Sequence, residues 1–341
     1  DVYKRQAMPL TLFAVTVIAM LLNEKVERKL KATFEEREFK IKDAFMLVAA
    51  MSIAVSIMAL VPRMAIMIVF LFAYSVLLFI FSYIFSDFQK DKAKIFCTAF
   101  FVFSFLAATV SLLNINSLSD LAAYGVAAFF CLCGFSFIAL LYEETRTRVD
   151  ERWYLAALPP ALFLILYVFY NQTPIWFPYL LNVYGGVFAI LIILYLGSLF
   201  TWRTSLAFVG LLTAADIILV LVTRTMVSAA IHVSGLRLPI LIIVPTFPQI
   251  ITEWGGALYM SLGLGDFFFA GLIAVQTYKK FGKNFAVLSA AAMAASFFIF
   301  EALILTFALQ AFPGTLMIIC GWLPIMLFKV LKGGKSTATK N

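Results

Sequence analysis

Apolar residues in this chain come in long blocks, each closed by a short polar or basic stretch. Eleven blocks lie near 7–22, 43–61, 64–85, 95–113, 121–142, 154–170, 179–200, 204–223, 252–276, 285–309 and 313–331. None alternates with the period of two that marks the strands of a membrane barrel. Blocks of this length match the hydrocarbon thickness of a bilayer. In hydrocarbon the backbone must satisfy its own hydrogen bonds, so each block predicts a helix. One connection departs from the pattern. Between 224 and 251 the chain is long and weakly polar, and Leu238-Pro239-Ile240-Leu241-Ile242-Ile243-Val244-Pro245 is a β-branched run bracketed by prolines. That composition predicts a short strand.

Composition agrees. Of 341 residues 64% are hydrophobic and only 13% charged, and mean hydropathy is +1.01. This excludes an ordinary soluble domain and predicts an all-α polytopic membrane protein of about eleven transmembrane helices, with the lipid bilayer as its surroundings. The net charge of +8 is assigned to orientation, not to a nucleic-acid partner. Threading the blocks alternately from an outside N-terminus puts 21 of the 26 Lys and Arg residues on one side, counting Lys329 at the inner end of the last block. By the positive-inside rule that side, with the C-terminus, is cytoplasmic. The first block is followed by Asn23-Glu24-Lys25, with no small-residue cleavage site. Cys97, Cys131, Cys133 and Cys320 all fall in apolar runs without a Cys-x-x-Cys pair, and His232 is the lone histidine. Buried, inert thiols are expected, with no metal site and no cofactor.

Two carboxylates stand out within the blocks. Asp216 lies in Leu211-Leu212-Thr213-Ala214-Ala215-Asp216-Ile217-Ile218-Leu219-Val220, and Asp266 in Ser261-Leu262-Gly263-Leu264-Gly265-Asp266-Phe267-Phe268-Phe269. Ionisable residues inside a membrane are costly and mark function. The helices of 204–223 and 252–276 run antiparallel, which places the two acids at comparable depth. Two carboxylates close together in a low-dielectric site share one proton and titrate as a pair. Such a pair can activate water with one member and polarise a carbonyl with the other. Gly263 and Gly265 remove side chains beside Asp266 and open it to close approach.

Gly263-Leu264-Gly265-Asp266, paired with the upstream Asp216, resembles the GxGD intramembrane aspartyl proteases: presenilin, signal peptide peptidase and their archaeal homologues. The stretches 223–230 and Pro239–Pro245 also look like the corresponding stretches of signal peptide peptidases. The resemblance covers 211–276. It implies Asp216 and Asp266 as catalytic residues, supported by Gly263, Leu264 and Gly265. The family's Pro-Ala-Leu motif finds its best match in Pro313-Gly314-Thr315-Leu316, with one extra residue and no Ala, so Pro313, Gly314 and Leu316 join the expected site. Tyr usually precedes the first aspartate; here it is Ala215. The family has nine spans with the aspartates on the sixth and seventh, which implies a nine-span core plus two extra N-terminal spans. Residues 1–150 are then N-terminal transmembrane helices including those spans, and 151–341 the catalytic core. The expected substrates are transmembrane helices with a cytoplasmic N-terminus, unwound and paired with the strand around Ile242 and Ile243. Charged or proline substitutions at Ile242 and Ile243 are expected to abolish cleavage without unfolding.

Other readings of the same residues stay open. Asp216, Asp266 and Glu301 fit the relay of a proton- or ion-coupled secondary transporter, although no matching halves are found. A relative that binds transmembrane helices without cutting them is the third. Glu301, mid-block in Phe298-Ile299-Phe300-Glu301, is either functional or a structural acid. Glu253 is expected at an interface, and Glu143, Glu144, Arg146 and Arg148 in a solvated loop. Phe100-Phe101 and Phe297-Phe298 are expected to face lipid, and Gly185-Gly186 to mark close helix packing.

Overall fold

A computed structural model describes residues 7–33, 38–86, 90–113, 120–142, 153–245, 259–307 and 311–338. Among the described residues each of the eleven apolar blocks contains a helix. In chain order these are α1 (Ala7–Thr33), α2 (Ile41–Met58), α3 (Arg63–Ile84), α4 (Lys90–Leu113), α5 (Asp120–Tyr142), the short α6 (Trp153–Ala156) with α7 (Leu158–Tyr170), and α8 (Leu181–Leu199). Next come α9 (Trp202–Ile217), the interfacial-length α10 (Thr225–Ser234), two strands, α11 (Leu264–Phe281), α12 (Lys283–Thr306) and α13 (Gly314–Ala338). Among the described residues nine helices are long and apolar enough to cross a membrane. The two blocks outside that set are α7, with 13 residues, and α11, whose 18 residues include Asp266, Lys279 and Lys280. The protein is thus an all-α polytopic membrane protein. Glu253 and the loop 143–152 lie outside the described residues.

Two compact units divide the chain, one of residues 1–66 with 181–341 and one of residues 67–180. In the second, α4 and α5 pack along each other, with Ser104 Oγ and Cys133 Sγ 3.2 Å apart between them. Phe100 and Phe101 are half-buried, with rings against Phe129 and Phe130. The block 154–170 breaks at Ala157 because Pro159 and Pro160 fit only a helix start. Cys97 and Cys133 are buried, while Cys131 and Cys320 are exposed, which corrects the expectation of four buried thiols.

The first unit is built around α11. Every residue from Phe267 to Thr277 is buried, as befits a helix that is apolar all round and surrounded by others. α1, α8, α9, α12 and α13 pack on it, and α2 lies along α9 and α10. Gly271 gives α8 its approach, since a Cβ there would meet Ile193 Cδ1 at 2.4 Å. At its C-terminal end α11 is tied by polar contacts. Gln276 Nε2 donates to Phe200 O at 2.8 Å, Trp322 Nε1 to Thr277 Oγ1 at 3.3 Å, and Lys279 pairs with Glu27 of α1 at 2.7 Å. Gly282, with φ +86°, then ends the helix.

The strand expected at Pro239–Pro245 is present as β1 (Leu241–Pro245). Its partner was not expected. The block 252–276 predicts one helix, but Tyr259–Gly263 forms β2, antiparallel to β1, with Ile242 opposite Leu262 and Ile243 opposite Ser261. Leu264 N extends the ladder to Ile240 O at 3.0 Å. The available partner strand, and Gly263 in an extended conformation (φ −71°, ψ 147°), delay the helix to Leu264. Asp266 is therefore in the first turn of its helix, not past the middle.

Candidate active site

Thr201 and Thr204 cap α9 reciprocally, and the helix carries Asp216 to its next-to-last position. Immediately beyond, Ile218–Val222 winds as a π-helix, with Thr223 N donating to Ile218 O five residues back at 2.9 Å. Such local widening accompanies functional sites. Asp266 comes from the opposite direction, held at the start of α11 by the strand that ends in Gly263. The Gly263 backbone hydrogen-bonds its carboxylate.

α13 joins the two. Thr315 Oγ1 donates to Asp216 Oδ2 at 2.6 Å, and the Thr315 amide donates to the same oxygen at 3.2 Å. One residue earlier, Gly314 lies against Asp266 so closely that a Cβ there would be 2.5 Å from Oδ1, 2.7 Å from Cγ and 2.9 Å from Oδ2. Adjacent residues of one helical turn thus touch the two carboxylates. Both are half-buried on the wall of a cavity of about 430 Å³.

The other expected residues take different places. Gly263 lines the cavity, and a Cβ on it would stand 3.5 Å from Asp266 Oδ2. Gly265 is exposed and faces open space, so the approach it allows is not to a neighbouring helix. Leu264 is buried at 5% exposure. Pro313 is buried and begins the turn that presents Gly314, its carbonyl accepting from Met317 N at 3.3 Å; Leu316 is half-buried in the same turn. Glu301 and Phe297 of α12 line the cavity with the aspartates, and Phe297 is buried, not lipid-facing.

Ile242 and Ile243 require a correction. Ile242 is 2% exposed and packs on α8, where a Cβ at Gly185 would meet its Cγ1 at 3.0 Å. Gly185 therefore serves strand packing; Gly186 has nothing nearby. Ile243 is clamped from the same helix: Asn182 Nδ2 donates to Ile243 O at 2.6 Å, and Ile243 N donates to Asn182 Oδ1 at 2.8 Å. The outer edge of β1 is occupied there, so a substrate strand cannot add at that point. A charge at Ile242 would sit in the packed interior, at a cost of several kcal/mol (~2–7 for an unpaired polar group alone), and would unfold the region.

Among the described residues, the available edge belongs to β2. Ile243 turns both its backbone groups away from β2, so it and Ser261 form a non-hydrogen-bonded pair, and Ser261 points its own N–H and C=O outward. Ser261 is exposed and lines the cavity beside the aspartates. Thr315, Asn182 and Ser261 were not singled out in the sequence. Thr315 stood inside the Pro-Gly-Thr-Leu match as its extra residue. Asn182 is the one amide in the block 179–200.

Comparison with protein-family models, curated proteins and solved structures returns no match to this chain.

Proposed function

We propose that the protein is an intramembrane aspartyl protease of the GxGD type that hydrolyses peptide bonds within transmembrane helices. The observation that carries this reading is the bridging of Asp216 and Asp266 by consecutive residues of α13, Thr315 and Gly314, on one cavity wall. Paired carboxylates of this kind hold one proton between them. The ionised member takes a proton from water as its oxygen attacks the scissile carbonyl carbon, and the protonated member gives its proton to the carbonyl oxygen. Collapse of the tetrahedral diol then breaks the C–N bond. A proton goes to the leaving nitrogen, another returns to the pair, and no cofactor is consumed.

A helical substrate must unwind for this chemistry, and its freed amides and carbonyls need partners in the membrane. The outward edge of β2 at Ser261 supplies them by strand addition. Ser261→Pro removes the outward N–H without touching the β1–β2 ladder, a substitution tolerated on an edge strand. It should reduce cleavage at least about tenfold, the scale of one or two lost hydrogen bonds, with the melting temperature preserved. Unchanged cleavage would place the substrate elsewhere.

Thr315 gives a second expectation. Thr315→Val keeps the shape and the amide but loses the hydroxyl that meets Asp216 at 2.6 Å. A hydrogen bond to a charged group is worth about 1.5–3 kcal/mol, so kcat should fall roughly ten- to hundredfold. Thr315→Ser should restore most of it. Equal activity in Val and Ser variants would remove Thr315 from the site.

The nine-span core of the resembled family then maps with α9 and α11 as sixth and seventh spans. The packing of α1 along α8, α11 and α12, and of α2 along α9, supports counting α1 and α2 in that core, with the two added helices among those of 67–180 in place of the expected N-terminal end. The cytoplasmic C-terminus and substrates with a cytoplasmic N-terminus belong to the same reading. Its test is direct: purified protein in lipid vesicles with a single transmembrane peptide, the products read by mass. Two fragments meeting inside the apolar stretch support it. An intact peptide together with solute uptake by the vesicles would favour a transporter.

A further inference from the structure

Where α11 turns into α12, four helices of the first unit bring aromatic rings and cations to one end of the bundle. The rings form a continuous row. Between centroids, Trp322 of α13 lies 6.3 Å from Trp202 of α9, Trp202 lies 5.5 Å from Phe281, and Phe281 lies 5.4 Å from Phe285 of α12. Two ammonium groups stand over this row. Lys280 Nζ is 4.3 Å from the Trp202 ring and 5.4 Å from that of Phe281, and Lys329 Nζ is 5.5 Å from the Phe285 ring. Arg203, next to Trp202 in the chain, and Lys283, next to Gly282, are exposed as well. Lys279 is taken by Glu27 at 2.7 Å. Among the described residues no carboxylate pairs with Arg203, Lys280, Lys283 or Lys329. Phe328 and Leu331, which flank Lys329, are 67% and 70% exposed. On a membrane helix such side chains face hydrocarbon, so the ammonium among them stands at its border, where Trp and Lys anchor a span.

A partner that fits this end carries negative charge above and apolar chains below. A soluble anion would meet the cations but not the apolar wall, and the headgroup of a zwitterionic lipid brings its own cation against them. We propose that this end of the bundle is a binding surface for an anionic phospholipid, whose headgroup meets Lys280 and Lys329 while its acyl chains lie along Phe328 and Leu331. The aromatic row does two things for it. Contact with the Trp202 face holds the Lys280 ammonium in place, and the rings cover the apolar stems of the lysines while their charged ends stay at the surface. A cation at a membrane surface is worth about fivefold in affinity for an anionic lipid. None of these residues lines the cavity of the aspartates, so the surface is independent of the protease reading.

The test is native mass spectrometry of the intact protein released from mixed micelles, titrated with phosphatidylglycerol or with phosphatidylcholine of the same acyl chains. The mass of the adduct identifies the ligand, and its occupancy gives a dissociation constant for each lipid. Phosphatidylglycerol should bind about twentyfold more tightly, the product of two cations at about fivefold each. Lys280→Gln should lower that preference about fivefold, and Lys280→Gln with Lys329→Gln should bring it near parity. Lys280→Arg should keep it. Lys92→Gln, which removes an exposed charge of α4 that has no ring against it among the described residues, should also keep it. A ratio is insensitive to a partly unfolded preparation, because lost protein lowers both lipids alike. Equal affinity for the two lipids, or a preference unchanged in the double variant, would overturn the proposal. An equal loss in Lys92→Gln would also overturn it, since net charge alone would then be at work. Inorganic phosphate added without lipid should leave no adduct; one that forms and competes with phosphatidylglycerol would make this a small-anion site and not a lipid surface.

Discussion

Replacing Asp216 or Asp266 by Asn should lower the rate of peptide cleavage by roughly a thousandfold or more, within the range supplied by positioned acid–base groups. The double variant should lose no more than either single one. On the proposed protease reading the pair shares one proton: with one carboxylate gone, the other has nothing to exchange with, and its later removal costs little further. Asn has nearly the shape of Asp and can still accept the Thr315 hydroxyl bond of 2.6 Å, so the fold should survive. Single-turnover rates in vesicles, with thermal unfolding as a control, measure this. Losses that multiply across the two positions would mean independent roles, and full activity in either variant would remove that residue from the chemistry.

Gly314→Ala should nearly abolish cleavage, by about a hundredfold or more, the scale of a displacement of about 1 Å in a catalytic group, while leaving the protein as stable as before or slightly more so. The new methyl would stand 2.5 Å from Asp266 Oδ1 and 2.9 Å from Oδ2, closer than contact allows. Those atoms are the end of a side chain, which can swing away at small cost, and Ala suits a helical turn better than Gly by up to ~1 kcal/mol. Relief of the clash is therefore the displacement of the carboxylate. A stable protein with normal activity would show that Asp266 works in another position. Gly321→Ala is the contrast, because its methyl would meet the backbone carbonyl of Ala292 at 2.2 Å. There the helices α12 and α13 themselves must separate, and stability should fall.

The helices were legible and the strand pair only half so, for one physical reason. Hydrophobic length reports what must be hidden from water, and among the described residues every block yields a helix, nine of them long and apolar enough to span. It does not report period within a wholly apolar stretch. Hence 259–263 read as the start of a span, although Met260 and Leu262 pair with β1. The prolines and β-branched residues around 241–245 carried enough local signal for β1, while β2 depends on a partner in a different part of the chain. At the site the acids and glycines could be singled out because a charge, or a missing side chain, is conspicuous in an apolar run. Which glycine mattered most was not. Gly265 faces open space, whereas Gly314 touches Asp266. Thr315 reaches Asp216 across 99 residues and Asn182 reaches Ile243 across 61, and no local pattern encodes either contact. The exchange of Ile242 for Ser261 as the place where an edge opens comes from register, since neighbouring residues of a strand face opposite ways.

In the proposed reaction both carboxylates act on a single carbon, and a peptide in which the scissile amide is replaced by a hydroxyl-bearing tetrahedral isostere tests this directly. Affinity of the protein in vesicles for the isostere, relative to its parent peptide, should exceed a hundredfold, the lower range for mimics of a transition state. Asp216→Asn and Asp266→Asn should each erase that advantage while the parent peptide still binds. An isostere that binds no better than its parent, or an advantage that survives either substitution, would contradict a shared site.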